Sequence, residues 1–294
     1  MTEDTQTLKR AVELYDPRRH YDVRSRDVTY REGERENWLA RVYEPQGKGP
    51  FPAVIEIHGG AWSNYDRTQN AEVDQAIAAS GLVVAAIDFR LASQAPYPAS
   101  IADVNYAVRW LKTHAERFNA TPDAIGVLGF SSGGHMAMLA AMRPSDSRYT
   151  ALPLASAPGI EASLAYVVLG WPVLDPHARY LYAKGLGRTH LVEAHHRYFA
   201  DEATMREANP QLILERGERI ALPPVLIVQG AADDVLSPQT AERFVEAYGR
   251  AGGIIELALY PGAGHAYTRE GSPHMARTVA TITAFIERQF VAGR

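Results

Sequence analysis

Ala124-Ile-Gly-Val-Leu-Gly-Phe-Ser-Ser-Gly-Gly-His135 is the stretch on which the reading of this 294-residue chain turns. Ala124 to Leu128 is an apolar run without alternation, as expected of a strand buried on both faces. Gly129-Phe130-Ser131-Ser132-Gly133 then fits Gly-x-Ser-x-Gly. In that pattern a strand turns sharply into a helix, the glycines let neighbouring backbone pack close, and the central serine is lifted into the open. The pentapeptide alone is a weak signal, equally suited to a plain glycine-rich turn. The strand before it and the helical stretch near His135 to Met142 after it make Ser131 a candidate nucleophile. Ser132 is the rival by adjacency, but only Ser131 sits two residues from a glycine on each side.

Outward from this point the chain alternates. Asp27 to Arg31 and Trp38 to Tyr43 flank the polar turn Gly33 to Asn37 and read as an antiparallel hairpin. Strands are expected at Ala53 to Ile57, Leu82 to Ile87, Leu164 to Leu169, Val225 to Val228 and Ile254 to Tyr260. Helices are expected at Ala71 to Ser80, Ile101 to Phe118, Gln239 to Arg250 and Met275 to Phe290. Asp103 and Arg109 are assigned to the polar side of the second helix. Apolar strands separated by helices indicate a single α/β domain, doubly wound, with a mostly parallel sheet covered on both faces. Trp171 to Glu215 carries Pro172, Pro176, Gly185, Gly187 and Pro210 and no clear strand, so residues 171–215 are read as a small inserted cap.

A serine hydroxyl is a poor nucleophile at neutral pH and needs a base, which singles out histidine. Of ten histidines, His265 is the best placed, because Pro261-Gly-Ala-Gly-His265 follows an expected strand. His135 reads as a packing residue, and His190, His195 and His196 fall in the insertion without convincing metal spacing. The carboxylate that would orient the base comes from Gly230-Ala-Ala-Asp-Asp234, with Asp233 and Asp234 both open on the residues alone. His58-Gly-Gly-Ala-Trp62 follows the strand ending at Ile57. Its glycines suit backbone N–H donors to an oxyanion, so Gly59, Gly60 and the N–H of Ser132 are the expected hole. His58 is expected to hold this loop, and Trp62 to wall a substrate pocket or to pack.

Composition bounds the rest. Hydrophobic residues make up 46% and charged residues 22%, and the formal charge is -4. No Lys/Arg block suggests nucleic acid or a membrane surface. The absence of cysteine excludes disulfides and thiolate chemistry and is compatible with a reducing cytosol. The polar start, Met1 to Arg10, lacks a signal-peptide pattern, and no apolar run approaches the ~20 residues of a membrane span. The expectation is a cytoplasmic protein that binds a small-molecule acyl substrate, without cofactor, metal, nucleic acid or membrane; a homodimer is compatible with it.

Together these segments resemble the hormone-sensitive-lipase-like and BD-FAE-type esterases of the α/β-hydrolase superfamily. Asp88-Phe-Arg-Leu91, Ala95-Pro-Tyr-Pro98 with Asp103, and Thr121-Pro-Asp-Ala-Ile125 extend the likeness, which runs from about Pro52 to Phe290. The resemblance prefers Asp233 over Asp234 and implies a serine hydrolase with the triad Ser131, Asp233 and His265 in that chain order. Ala61 stands where the lipase-type loop has a third glycine, which favours the BD-FAE and arylformamidase-like branch. The implied activity is cleavage of small to medium carboxylic esters, with amide or carbamate hydrolysis of arylformamidase type as the alternative and a non-catalytic binding module as the third. Residues 1–26 match no pattern of the family and are read as a segment over the active-site mouth or a frayed tail.

Overall fold

The computed structural model describes residues 15–33, 36–268 and 271–291. Eight strands form one sheet: β1 (Val23–Arg31), β2 (Trp38–Pro45), β3 (Phe51–Ile57), β4 (Val83–Ile87), β5 (Ala120–Phe130), β6 (Val167–Gly170), β7 (Val225–Gly230) and β8 (Ile255–Tyr260). Their spatial order is β1-β2-β4-β3-β5-β6-β7-β8. The β1–β2 and β2–β4 pairings are antiparallel and all the others are parallel. Every residue of β3, β4, β6 and β7 is buried, which is why these segments are apolar apart from Glu56 in β3 and Gln229 in β7.

Helices cover both faces. On one lie α1 (Ala71–Ala79) and the last helix, Met275–Val291, through Val73, Ile77, Ile282 and Phe285. On the other lie α2 (Ala99–His114) and α3 (Ser132–Met142), through Val104, Leu111, Met136 and Leu139. Between β6 and β7 the chain makes four short helices, α4 (Pro176–Gly185), α5 (Thr189–Tyr198), α6 (Glu202–Glu207) and α7 (Pro210–Glu215), in the stretch read as an insertion. Asp175, Asp201 and Asn209 cap three of them, each side chain accepting from a backbone N–H three residues on. Asn209 Nδ2 also donates to Asp175 Oδ1 at 2.7 Å, tying α7 to the start of α4. Helix α8 (Pro238–Arg250) and helix α9 (Met275–Val291) complete the fold. None of the described helices is long and apolar enough to cross a membrane.

Three expectations are corrected here. Helix α2 ends at His114 and a 3-10 turn follows over Ala115–Phe118, closed by Asn119 at φ 55°, a left-handed conformation asparagine tolerates. Asp103 and Arg109 do not face solvent. Asp103 is fully buried and takes ion pairs from Arg31 at 2.8 Å and Arg90 at 2.9 Å, while Arg109 donates to Asn105 Oδ1 and to the Leu152 carbonyl. Periodicity sees charge and assigns solvent; paired charges violate that rule. Of residues 1–26, residues 1–14 lie outside the described set. Tyr15 and Tyr21 pack against Gly81, at the end of β4 opposite the strand C-termini, and Val23 opens β1. The described part of that segment is therefore not over the site.

A buried acidic pair sits beside the sheet. Glu56 on β3 and Asp74 on α1 are both inaccessible to solvent. Glu56 Oε1 accepts from Asn70 Nδ2 at 2.7 Å, whereas Glu56 Oε2 and both Asp74 oxygens have no partner among the described residues. Burial raises both carboxyls well above the usual carboxylate range, and the Glu56 charge raises Asp74 further. The folded chain therefore holds protons that the unfolded chain loses above pH ~4–5. This contribution to stability is complete below that range and declines as the pH rises. Melting curves between pH 5 and pH 8 test it: the wild-type Tm should fall more steeply than that of Glu56→Gln, by at least roughly 3 °C over the interval, about 1 kcal/mol for a domain of this size. Parallel slopes would remove the acidic pair from the account.

Candidate active site

The register of the sheet brings the first two parts together. β3 and β5 are parallel neighbours with Ile57 opposite Gly129, so the loop beginning at His58 and the turn at Ser131 leave the sheet side by side. Between them the chain order reverses, since β4 lies on one side of β3 and β5 on the other. Open α/β sheets bind ligands in such a crevice. A Cβ on Gly133 would lie 2.1 Å from the Ile57 carbonyl oxygen, and one on Gly129 would lie 2.5 Å from that of Gly133. Glycine is required at 133 for α3 to start this close to β3, and at 129 for it to start this close to β5. Ser131 itself has φ 53° and ψ -116°, a strained conformation for a residue with a Cβ. It is held by its N–H donating to Gly170 O at 2.8 Å and its carbonyl accepting from Val173 N at 3.0 Å.

The other two parts come from the ends of β7 and β8. Gly230 and Tyr260 are register partners, and Gly230 has room for the carbonyls of Ala263 and Gly264 only because it lacks a Cβ. Ala232 N–H donates to Ala263 O at 2.9 Å, fastening the Asp233 turn to the His265 loop. His265 Nδ1–H donates to Asp233 Oδ2 at 2.8 Å, and the Ser131 hydroxyl donates to His265 Nε2 at 3.0 Å. Trp171 packs edge-on to the imidazole, with centroids 6.3 Å apart.

Asp233 is buried. Its Oδ1 accepts from the N–H groups of Val235 and Leu236, and its Oδ2 accepts also from Gln229 Nε2. Burial pushes this carboxyl up, but the bonds from His265, Leu236 and Gln229 outweigh it and hold the pKa below the ordinary value. Asp234 instead faces outward and pairs with Arg188 at 2.9 Å.

In the loop after β3, Gly59 abuts the serine, and a Cβ there would stand 3.2 Å from Ser131 Cβ. Gly60 has φ 97° and Ala61 φ 51°. Among the described residues, the N–H groups of Gly59, Gly60, Ala61 and Ser132 donate to no protein acceptor. Ala61 lines the pocket with Gly59, Gly60 and Ser131; the sequence reading passed over it because it has the wrong side chain for the motif, although a backbone N–H does not depend on side chain. His58 Nδ1–H donates to Gly59 O at 2.9 Å and its ring stacks on Phe89; burial lowers its pKa to about 4.

Trp62 is a correction, since it does not line the pocket. It is 1% exposed, stacked on Tyr198 at 4.9 Å, with its indole N–H donating to His135 Nδ1 and its backbone N–H to Ser132 Oγ. His135 donates from Nε2 to Ala208 O at 2.8 Å and is a packing residue, its pKa lowered to about 4 by burial. His195 is likewise buried and lowered to about 3. His196 hydrogen-bonds Tyr180. Among the described residues no cluster of three or more His, Asp or Glu side chains is arranged to hold a metal ion.

The pocket at Ser131 and His265 holds about 250 Å³ and is walled by Phe130, Trp171, Leu191 and Val235, with Tyr65 and Asn64 at the loop side. The insertion contributes Leu191 from α5 and Arg179 from α4. Neither was legible in the sequence, because the insertion has short helices whose facing positions no motif announces.

Comparison with known proteins agrees with this geometry. Residues 41–248 match the family model described as BD-FAE. Esterase LipC of Mycobacterium tuberculosis is 31% identical over 249 residues, 81% of this chain and 59% of that protein. The probable carboxylic ester hydrolase LipM of the same organism is 27% identical over 88% of this chain and 60% of its own length. The chain thus spans about 60% of the length of these curated relatives. Among solved structures, the propionate-bound esterase Est2 of Thermogutta terrifontis superposes with a TM-score of 0.70 at 23% identity, covering 91% of this chain and 93% of that one. The paraoxon-phosphorylated form of esterase 2 from that organism superposes with a TM-score of 0.71 at 22% identity over 89% and 93%. The sheet order, the strand-end loops and a family match over more than two thirds of the sequence make one statement: the chain has the α/β-hydrolase fold and belongs to the BD-FAE family.

Proposed function

We propose that this chain hydrolyses small to medium carboxylic esters through an acyl-enzyme on Ser131. One observation carries the reading: the unbroken hydrogen-bond chain from Asp233 Oδ2 through His265 to Ser131 Oγ, at 2.8 and 3.0 Å, opening on a pocket of about 250 Å³. Relatives named as esterases or carboxylic ester hydrolases, and a structural neighbour phosphorylated by paraoxon, support the same chemistry.

Ser131 Oγ attacks the ester carbonyl while His265 Nε2 takes its proton, and Asp233 keeps the imidazole in the tautomer that leaves Nε2 free and stabilises the imidazolium. The negative charge that develops on the carbonyl oxygen meets the N–H groups of Ser132, Gly60 and Ala61, which cost no rearrangement because the loop is already built. Gly59 is the third expected donor, its N–H likewise without a protein acceptor among the described residues, and its missing side chain lets the loop approach Ser131. His265 then returns the proton to the leaving alcohol, and water releases the acyl group by the same steps in reverse. No step calls on a cofactor. The absence of cysteine supports the cytoplasm as the setting.

Two experiments follow. A short-chain p-nitrophenyl ester should be turned over with an initial burst, and Ser131→Ala should lower kcat by at least ~10⁴-fold; retained turnover in that variant would remove Ser131 from its role. Steady-state kinetics of two neighbouring variants separate the adjacent aspartates. Asp233→Asn should lose about 10³–10⁴-fold in kcat, whereas Asp234→Asn, which breaks only an exposed ion pair, should stay within about 3-fold. Comparable losses in both would mean that the hydrogen bond to His265 is not the interaction that matters. A higher kcat/KM for an aryl formamide than for its ester analogue would move the reading to amide hydrolysis.

A further inference from the structure

Arg179 is 6% exposed and lines the pocket that contains Ser131 and His265. It is placed there by the first turn of α4, where its N–H donates to the Asp175 carbonyl behind the Asp175 cap and Pro176. Its guanidinium makes no hydrogen bond or ion pair among the described residues, and Nε and Nη1 are shut off from solvent without a partner. The face of Trp62, 5.7 Å from the guanidinium carbon, supplies a cation–π contact but no acceptor. Burial lowers the pKa of Arg179 to about 10, and the nearby Asp233 charge opposes this, so the group is a cation at neutral pH.

The carboxylates around it are all committed elsewhere. Asp233 is taken up by His265, Gln229 and the amides of Val235 and Leu236. Asp234 is held by Arg188 at the surface. Asp175 accepts from Ala178 N–H and Asn209 through Oδ1, and its Oδ2 lies 3.9 Å from Arg243. Buried charges are retained where they are paired, and this one lines the pocket with no protein acceptor among the described residues, Nη2 being the guanidinium nitrogen that is not closed off. An N–H of a permanently charged guanidinium makes a charge-assisted hydrogen bond to a carboxylate, stronger than one between neutral groups.

We propose that Arg179 anchors a carboxylate carried by the substrate, so that the preferred esters bear a second, ionised carboxylate a few bonds from the scissile carbonyl. This deepens the esterase reading and rests on it. The anion sits on the Ser131 side of Arg179, because the adjoining pocket of about 200 Å³ on its other side includes Asp175.

Matched ester pairs test this, each pairing a carboxylate with its isopropyl isostere. Monoethyl glutarate against ethyl 5-methylhexanoate places the charge on the acyl side, and carboxymethyl butanoate against isobutyl butanoate places it on the alcohol side. At least one anionic ester should exceed its isostere in kcat/KM by roughly tenfold or more, the worth of a charge-assisted hydrogen bond, and the pair that does so identifies the side. Arg179→Met should bring the ratio of kcat/KM for the charged ester to that for its neutral isostere to within about 3-fold of one, chiefly by raising KM for the charged ester; Arg179→Lys should keep part of the preference. Equal loss on charged and neutral esters would make Arg179 a packing residue and overturn the proposal. So would neutral isosteres used by the wild-type protein as well as the charged ones, a result that leaves Ser131 untouched and needs no variant to fold. If the wild-type protein hydrolyses neither kind of ester, the esterase reading fails instead. The anion site is then decided by calorimetry with the unhydrolysed esters: monoethyl glutarate should bind the wild-type protein at least tenfold more tightly than ethyl 5-methylhexanoate, and equal affinities would overturn it.

Discussion

The parallel pairing of β3 with β5, with Ile57 opposite Gly129, is the constraint on which the site depends. It fixes where two loops leave the sheet and brings them so close that only glycine fits at the crossing. Gly133 lies against the carbonyls of Ile57 and His58, and Gly59 lies against Ser131. A side chain at Gly133 would force α3 away from β3, and one at Gly59 would crowd Ser131. The second pair of strand ends repeats this logic, since Gly230 lets the carbonyls of Ala263 and Gly264 pass and so delivers His265 to Asp233. The geometry of the candidate site is a consequence of sheet register and missing Cβ atoms before it is a matter of side-chain chemistry.

Strain collects at the same place. Seven non-glycine residues have positive φ among the described residues, and five of them, Ala61, Tyr65, Ser131, Trp171 and Ala266, line the Ser131 pocket. Such conformations persist only where the surroundings over-determine them. Here the buried strands do so, together with bonds such as Ser131 N–H to Gly170 O and Trp171 N–H to Val228 O. The rigid sheet thus holds the loops in conformations that present amides and hydroxyl to a substrate in advance.

The sheet was legible in the sequence because strands buried on both faces are mostly apolar, as β3, β4 and β7 are, with Glu56 in β3 and Gln229 in β7 the buried polar exceptions. Ser131, Asp233 and His265 were legible because each follows such a strand in a glycine-bearing turn. What escaped has a physical reason in each case. Asp103 and Arg109 look like surface residues until their partners, which are remote in sequence, are known. Trp62 looked like a pocket wall, and only the packing of Tyr198 and His135 from other elements shows it to be interior. Arg179 is invisible to motifs, since its meaning lies in the absence of a partner after folding, a property of three-dimensional surroundings.

Polar accounting therefore divides the site into a satisfied part and an open part. Asp233 is fully bonded, which leaves His265 in a defined tautomer, while the amides of Gly60, Ala61 and Ser132 await an acceptor. The central claim is that this arrangement makes Ser131 the nucleophile. Peptide mapping by mass spectrometry after treatment with a fluorophosphonate tests it most directly. The adduct should fall on Ser131 at close to one per chain, with Ser132 unmodified; an adduct on Ser132, or no adduct on a folded protein, would contradict the account.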